Sequence, residues 1–257
     1  MKIKYFLIIL FGLSACIKPQ EKLFKQIKNL EKSEDVSSPE SQSKLADLHK
    51  EYGLLCTDSL ATQYLYSSGY YFYYTAKNNS EAEAILTEFV SRSNSNEQKK
   101  NAQLILGQIH MQYEDYELMA KDIKTAIDLA PPTNTQWNEI RTMFQTKIKA
   151  NAHPEPSDYE LLAKSYTALS DFNLALANLD SAISQFPNYP GRSKLIYRAG
   201  FISWEYMKNA AKARAYYETF LESYPEDGLA KEVKTILESG WLDMSDEDIL
   251  EDLKKGI

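Results

Sequence analysis

The sequence has few of the residues that build tight turns and metal sites. Its 257 residues include only 9 Gly, 9 Pro and 3 His. So little Gly and Pro disfavours the dense turns of an all-β fold, whereas long Ala/Leu/Lys/Glu/Tyr runs favour helices. The three histidines, His49, His110 and His153, are far apart and lack the His/Cys/carboxylate spacing of a metal site. We therefore expect a helical protein without a metal or cofactor.

A basic surface and nucleotide-binding or catalytic motifs are also missing. Lys and Arg total 29 against 36 Asp and Glu, and the formal charge is −7. An acidic chain without a local basic patch repels nucleic acid. The sequence contains no phosphate loop, G-x-S-x-G or G-x-G-x-x-G pattern, and its carboxylates fall on helix faces where solvated charge is expected. These absences predict a protein that is not an enzyme.

The first fifteen residues have the pattern of a secretory leader. Two lysines in Met1–Lys4 precede the apolar run Tyr5–Leu13. A basic start, a short apolar segment and small residues before the cut are typical of a signal peptide. The run is too short to cross a bilayer, which needs about 20 apolar residues, and no later segment is apolar enough. We predict a signal peptide over residues 1–15.

The leader ends in Leu13-Ser14-Ala15-Cys16, which resembles the lipobox of bacterial lipoproteins. The resemblance implies that the Cys16 thiol carries a diacylglyceryl group and becomes the new N-terminus, anchoring the protein through its acyl chains. An ordinary leader with an incidental cysteine is the alternative. With Cys16 acylated, Cys56 has no partner for a disulfide and is expected to be a small buried side chain.

The residues after Cys16 bear on which membrane holds the anchor. Ile17 stands where Asp would signal inner-membrane retention in the enterobacterial scheme, and no acidic run for surface export follows. These features favour the outer membrane and a periplasm-facing protein.

The remaining chain divides into a helix with a linker, over residues 16–43, and a repeat domain over residues 44–257. Leu23, Ile27 and Leu30 have helical spacing, and a Ser/Pro/Glu/Gln stretch follows as a flexible connector. From Lys44 onward, helical patterns continue almost to the end.

One segment of that domain shows a clear helix-pair pattern. Ser157–Pro187 places Tyr159, Leu162, Ala163 and Tyr166 on one helix and Phe172, Ala175, Leu179 and Ala182 on the next, before Pro187. The small residues allow two antiparallel helices to approach closely, and the larger ones fill the space around them. This spacing resembles the tetratricopeptide repeat (TPR), with Tyr for Trp and Ala for Gly.

Three other segments repeat the spacing less closely. A second copy contains Gly107, His110, Tyr116 and Pro131, and a degenerate first copy contains Gly69, Tyr73 and Phe89. The second helix of a fourth copy fits, but its first helix, Lys194–Met207, fits only with a shift of one residue. An added helix is expected over "TQWNEIRTMFQTKI", and an acidic C-terminal helix is expected to cap the last exposed face. We therefore predict an all-α, TPR-like α-solenoid of antiparallel helix pairs, preceded by a lipoprotein signal peptide.

The TPR resemblance also implies a partner groove, because first-helix positions of the family line the concave side. Carried over to this sequence, the groove candidates are Tyr64, Tyr71, Tyr74, Gln108, Met111, Gln112, Lys164 and Thr167. Tyrosine gives large contact area for few rotors and a polar tip. The competing interpretation is that the N-terminal helix or connector packs on the tyrosines and fills this surface. Tyr66, Tyr70 and Tyr73 are predicted to share the packing face.

The layout resembles TPR lipoproteins of the Bacteroidota type, and it predicts fold better than function. The leading hypothesis is a membrane-tethered scaffold that binds an envelope protein or peptide in its groove. A narrower alternative is a lipid-anchored TPR factor for outer-membrane β-barrel assembly. A third is a glycan-binding SusD-like lipoprotein, although the long loops of that class are missing here.

Overall fold

The computed structural model describes residues 18–255, apart from the side chains of Asp246 and Lys255. All regular structure in this range is helical, in agreement with the predicted all-α class. No helix within it combines the length and apolar character needed to cross a bilayer. The predicted signal peptide and Cys16 lie outside the described residues, so both remain predictions.

The chain divides into two compact units, the first ending at Leu106 and the second beginning at Gly107. The helices that begin in the first unit are α1 Pro19–Glu31, α2 Pro39–Leu55, α3 Ser59–Tyr74, α4 Asn79–Arg92 and α5 Asn96–Gln112, the last of which contains the boundary. The second unit continues with α6 Tyr116–Leu129, α7 Asn134–Lys149, α8 Pro156–Ala168, α9 Phe172–Gln185, α10 Arg192–Phe201, a π-helical turn Ile202–Tyr206, α11 Ala210–Ser223, α12 Ala230–Ser239, a 3₁₀ turn Trp241–Asp243 and α13 Asp246–Lys255.

The first unit has a core that includes the N-terminal helix. Leu23 and Ile27 of α1 are buried in one cluster with Tyr52, Ala61 and Tyr64. The helical spacing of Leu23 and Ile27 gives α1 a single apolar face, and burying that face holds it on α2 and α3.

Helix α2 begins earlier than the sequence pattern predicts. The Ser38 side chain accepts a hydrogen bond from the Ser41 amide, and Pro39 occupies the first turn. Both residue types favour a helix start at these positions, so α2 begins inside the Ser/Pro/Glu/Gln stretch predicted to be a flexible connector. The predicted boundary at residue 44 falls within a helix. Cys56, at the end of α2, is half-buried beside the same cluster.

Helices α8 and α9 form the predicted pair in the second unit. Ala163, Ala175 and Ala182 are all at most 1% exposed, as expected for small residues at close helix contacts. Asp171 caps α9 by accepting from the Leu174 amide at 3.4 Å. A parallel arrangement holds for α5 and α6, where a Cβ on Gly107 would lie 2.8 Å from the Ile123 side chain.

The π-helical turn explains the shift of one residue in the fourth repeat. In this turn, Met207 donates its amide hydrogen bond to the Ile202 carbonyl, five residues back, at 3.1 Å. A π turn accommodates one residue more than an α-helical turn. The repeat spacing therefore resumes one position later in the sequence while the helix pair itself is preserved.

Helix α7 is the added helix that the sequence predicts. Thr133 and Gln136 form a reciprocal capping box at its start. Near its end, Lys147 donates from Nζ to Asp158 Oδ2 of α8 at 2.6 Å, and both side chains are almost fully buried. This ion pair fixes the end of α7 against the start of α8.

The last helix does not cap an apolar face as the sequence pattern suggests. Gly240, in the left-handed conformation at φ 75°, ends α12, and Ser245 accepts from the Asp248 amide at the start of α13. Leu250 and Leu253 of α13 are nevertheless 56% and 43% exposed. The core beneath is closed instead by Leu242 and Trp241 of the 3₁₀ turn, which pack on α11 and α12.

Candidate binding surfaces

Tyr64, the first of the predicted groove residues, belongs to the core of the first unit. Its side chain is 6% exposed, its ring stacks on His49 at 4.1 Å, and it meets Tyr52 edge-on at 5.5 Å. Helix α1 contributes Leu23 and Ile27 to the same cluster. The sequence-based placement of Tyr64 on a partner surface is thereby corrected, because the N-terminal helix covers this part of the repeat.

Tyrosines near the end of α3 reach the surface of the first unit. Tyr71 is half-buried, and Tyr74 is 40% exposed. Tyr70, which the sequence places on the packing face, is 48% exposed and lies 4.3 Å from the Tyr74 ring. Tyr73 contacts Tyr74 edge-on at 4.7 Å. Tyr74, predicted for the groove, thus shares one exposed aromatic strip with two tyrosines predicted for packing.

In the second unit, the candidates on α5 lie beside α7. Gln108 is partly buried and donates from Nε2 to Glu139 Oε2 at 2.9 Å. Burial raises the pKa of the Glu139 carboxyl, and the hydrogen bond from Gln108 opposes that shift. Met111 is partly buried and Gln112 is exposed. The intramolecular bond from Gln108 favours a role in joining α5 to α7.

Lys164 and Thr167, the candidates on α8, line an open cavity of about 500 Å³. This volume is within the roughly 300–1,000 Å³ typical of ligand sites. We call the cavity the aromatic groove and define it by its lining: Trp137, Lys164, Thr167, Ala168, Ser170, Phe172, Arg198, Phe201, Ile202 and Tyr206. Of the eight predicted groove residues, these two on α8 are brought together with an aromatic surface in the second unit.

Aromatic rings form one wall of the aromatic groove. The Phe172 and Tyr206 rings stack in parallel, with centroids 4.8 Å apart and planes 6° apart, and Phe201 meets Tyr206 edge-on at 5.9 Å. Tyr206 is 46% exposed although it is a large aromatic residue. Aromatic residues with exposed faces are the usual anchors of protein interfaces, so this wall is suited to an apolar or aromatic side chain of a partner.

Positive charge borders the aromatic groove. Lys164 is exposed and forms no ion pair with the residues that the structure describes. Arg198 donates from a terminal guanidinium nitrogen to Glu160 Oε1 at 2.7 Å, and its side chain remains 37% exposed. The described residues that line the groove include no Asp or Glu. The groove therefore combines apolar contact area with the positive charge of Lys164, which no ion pair among the described residues compensates, in a chain that is acidic as a whole.

The sequence pattern did not identify the aromatic wall. Phe172 is a repeat position of the sequence pattern, but Trp137 comes from the added helix α7, and Tyr206 lies at the end of the π-helical turn. The misfit of one residue between Lys194 and Met207 was the available signal, since π turns are frequent at functional sites.

Another cavity of comparable size in the second unit has mixed charge. It measures about 480 Å³ and is lined by lysines together with Glu117, Asp128 and Glu155. His110, predicted to be core filler, is 8% exposed and its Nδ1 lies 2.6 Å from Asp122 Oδ2. Within residues 18–255, no cluster of His, Cys, Asp and Glu has the arrangement of a metal site.

The comparison with protein families identifies one of the helix pairs directly. Residues 195–227, which contain α10, the π-helical turn and α11, match a family model described as tetratricopeptide repeat. The chain has a TPR-like fold. No curated protein sequence is significantly similar to it.

Several solved structures resemble this TPR-like chain at low identity. One is MamA, from residue 41 to its end, from Desulfovibrio magneticus RS-1, with 14% identity, a TM-score of 0.33, and coverage of 82% of this chain and 99% of MamA. Another is YrrB, described as a TPR protein with an unusual peptide-binding site, with 17% identity, a TM-score of 0.33, and coverage of 84% and 99%. The Cut9–Hcn1 complex of the APC/C has 16% identity, a TM-score of 0.29, and coverage of 84% and 45%.

Proposed function

We propose that this protein is a lipid-tethered TPR scaffold of the bacterial envelope that binds a protein or peptide partner in the aromatic groove. The observation that carries the proposal is the convergence of Lys164 and Thr167, at positions that line the groove in TPR proteins, with the stack of half-buried Phe172 on exposed Tyr206. Such a surface provides an apolar anchor site and a charge that selects its occupant. This arrangement of side chains supports a binding function, which we propose here.

The tether part of the proposal is supported by the Leu13–Cys16 lipobox pattern and the leader before it. A protein held on a membrane meets partners on the same membrane at a raised effective concentration, so modest affinity suffices. From the residues that follow Cys16, we propose that the protein lies on the periplasmic side of the outer membrane.

Site-specific photocrosslinking in cells tests the groove. A photoreactive residue at Lys164 or Thr167 should capture the same partner, identified by mass spectrometry, and a third one at Lys231 of α12, which is exposed and outside the groove, should not capture it. Adding Tyr206→Ala to the Lys164 probe should abolish capture because it removes part of the aromatic wall. Equal capture from Lys231, or none from both groove positions, would contradict the proposed binding function.

Labelling with radioactive palmitate tests the tether separately. The wild-type chain and a Cys56→Ala control should incorporate label and fractionate with membranes, whereas Cys16→Ala should do neither. Absence of label from the wild-type chain would exclude lipidation while leaving the groove hypothesis intact.

A further inference from the structure

Helix α13 presents an apolar pair that stays largely exposed within the part of the chain that the structure describes. Leu250 and Leu253 are 56% and 43% exposed, and their separation of three residues puts them side by side on one face. The helix is linked to the preceding 3₁₀ turn through Trp241 Nε1, which donates to Asp252 Oδ2 at 2.9 Å. This hydrogen bond leaves the leucine pair open to a partner.

The same helix is strongly acidic. Residues 246–255 contain five carboxylates and two lysines, and the lysines come last. Glu247 is exposed in the first turn, one helical turn before Leu250. A partner surface for α13 therefore has to combine apolar contact area with positive charge.

The aromatic groove in the second unit has that combination. Its wall of Phe172, Phe201 and Tyr206 offers apolar area. Lys164 supplies a positive charge, and Arg198, which is paired with Glu160, adds a guanidinium that is still 37% exposed. A groove usually binds an amphipathic helix through apolar anchor residues, with charges on the groove opposite in sign to those on the helix.

Two other cavities among the described residues are poorer matches. The cavity of about 570 Å³ beside Leu54 and Leu55 of α2 is also lined by Asp47, Lys50 and Glu51, so carboxylates outnumber lysines there. In the cavity of about 480 Å³ beside α6, Glu117, Asp128 and Glu155 are balanced by three lysines. Charge therefore favours the aromatic groove among these three cavities.

We propose that α13 of one copy of this protein docks in the aromatic groove of a second copy, so that the groove's occupant is the chain's own acidic C-terminal helix. The inference rests on the proposed function, because it assigns a partner to the same groove. Groove and helix are different surfaces, so the contact is heterologous, and a row of joined copies keeps one unoccupied groove at one end and one unoccupied α13 at the other. On a membrane, tethering would raise the effective concentration for this association.

A charge exchange between the two surfaces tests the proposal. In sedimentation of the full chain in detergent, the wild-type protein should self-associate reversibly, and added salt should weaken the association. Lys164→Glu and Glu247→Lys should each weaken it at least tenfold, and the two together should restore it to within about threefold of wild type. Lys231→Glu is the matched control, because it reverses the charge of an exposed lysine on another helix, α12, and it should leave self-association unchanged.

The apolar contribution is tested with a second pair of variants. Leu250→Ser combined with Leu253→Ser should weaken self-association at least tenfold, whereas Leu118→Ser, at a leucine of α6 that is 41% exposed, should not change it. Circular dichroism should show unchanged helix content in each variant, since the replaced side chains are at the surface.

Crosslinking of isotope-mixed protein identifies the occupant. With equal amounts of ¹⁴N and ¹⁵N chains, a photoreactive residue at Leu250 should crosslink to peptides of the aromatic groove, and half of the products should contain both isotopes. Products with one isotope only would place α13 in its own groove and overturn the proposal, as would a wild-type chain that stays monomeric at 100 µM, roughly a Kd weaker than 10⁻⁴ M. Capture of a different protein from Lys164 in cells, with no self-association, would overturn this inference and support the proposed function.

Discussion

The rings of Phe172 and Tyr206 lie parallel, with their centroids 4.8 Å apart, and join the first turn of α9 to the end of the π-helical turn. The two residues are 34 positions apart in the sequence and belong to different helix pairs. Their stack forms part of the wall of the aromatic groove. A local irregularity, the π turn, thus contributes to the surface on which the proposed function depends.

Close packing of α10 on α11 predicts a cost for enlarging Gly200. A Cβ at this position would lie 2.6 Å from the Tyr217 ring, which is fully buried and cannot move away. Overpacking of this kind costs about 1–3 kcal/mol, against a gain of up to about 1 kcal/mol from placing Ala in a helix. We expect Gly200→Ala to lower the free energy of unfolding by about 1–2 kcal/mol in urea denaturation.

Gly228 provides the matched control for that substitution. A Cβ on Gly228 would meet no atom within 4 Å, so Gly228→Ala should leave the free energy of unfolding unchanged or raise it by up to about 1 kcal/mol. Equal destabilisation by both variants would mean that the Gly200–Tyr217 contact does not limit packing.

The helix pairs could be predicted because their signal is local. Ala163, Ala175 and Ala182 recur at spacings that bring small residues to the helix contacts, and all three are buried. The repeat pattern alone does not decide which element covers a given face, and for the tyrosines of α3 the sequence leaves an open groove and a covering N-terminal helix as alternatives. Tyr64 fits a groove position in the repeat, yet its burial depends on Leu23 and Ile27, which lie outside the repeat pattern.

The aromatic groove was beyond the sequence pattern for a related reason. Lys164 and Thr167 follow from the repeat alignment, whereas Tyr206 reaches the groove only because the π turn shifts the register by one residue. Exposure of α13 was also unpredictable, since periodicity shows that Leu250 and Leu253 share a face but does not show what packs on it.

The buried ion pair between α7 and α8 predicts a large cost for removing one partner. Lys147 and Asp158 are 3% and 0% exposed, and their side chains meet at 2.6 Å. Lys147→Met would leave the Asp158 carboxylate buried without its counter-charge, which typically costs 3–5 kcal/mol. We expect a loss of about that size in the free energy of unfolding, measured by urea denaturation.

Two further variants separate the ion pair from other effects of Lys147. Lys149→Met, at an exposed lysine two residues away, should change stability by at most about 0.5 kcal/mol. Combining Lys147→Met with Asp158→Asn should recover part of the loss, because the buried group is then neutral. A loss below 1 kcal/mol for Lys147→Met alone would show that the carboxylate is solvated in the folded protein.

Burial of His49 predicts that acid weakens the first unit. Burial lowers the pKa of His49 to about 4, and nearby Lys28 adds to the shift while Glu31 opposes it. Between about pH 6.5, the ordinary value for histidine, and about pH 4, the unfolded chain binds a proton at His49 that the folded chain does not. Protonation of His49 therefore costs no free energy of unfolding above pH 6.5. As the pH falls through this window, it lowers the free energy of unfolding by up to about 3 kcal/mol.

Replacing His49 by a residue that does not titrate isolates this contribution. His49→Phe keeps a ring against Tyr64 and should remove the drop in stability between pH 6.5 and 4, leaving the part due to carboxylates. His153→Asn, at an exposed histidine, should retain the wild-type profile. Identical pH profiles for the wild-type and His49→Phe chains would mean that His49 binds its proton as readily in the folded chain as in the unfolded chain.

Docking of α1 on the first repeat predicts that one charge at its buried face should release it. Ile27 is fully buried in the cluster that holds Tyr52 and Tyr64, whereas its neighbour Gln26 is exposed. A carboxylate placed in this apolar cluster has no partner there. We expect the free-energy cost of burying it to exceed the free energy that the apolar contacts of α1 contribute. Ile27→Asp should therefore speed amide hydrogen exchange at least tenfold across residues 19–31 and leave α8 and α9 unchanged, while Gln26→Asp should leave exchange in α1 as in the wild type. Protection of α1 that survives Ile27→Asp would show that contacts other than this apolar face hold the helix over Tyr64.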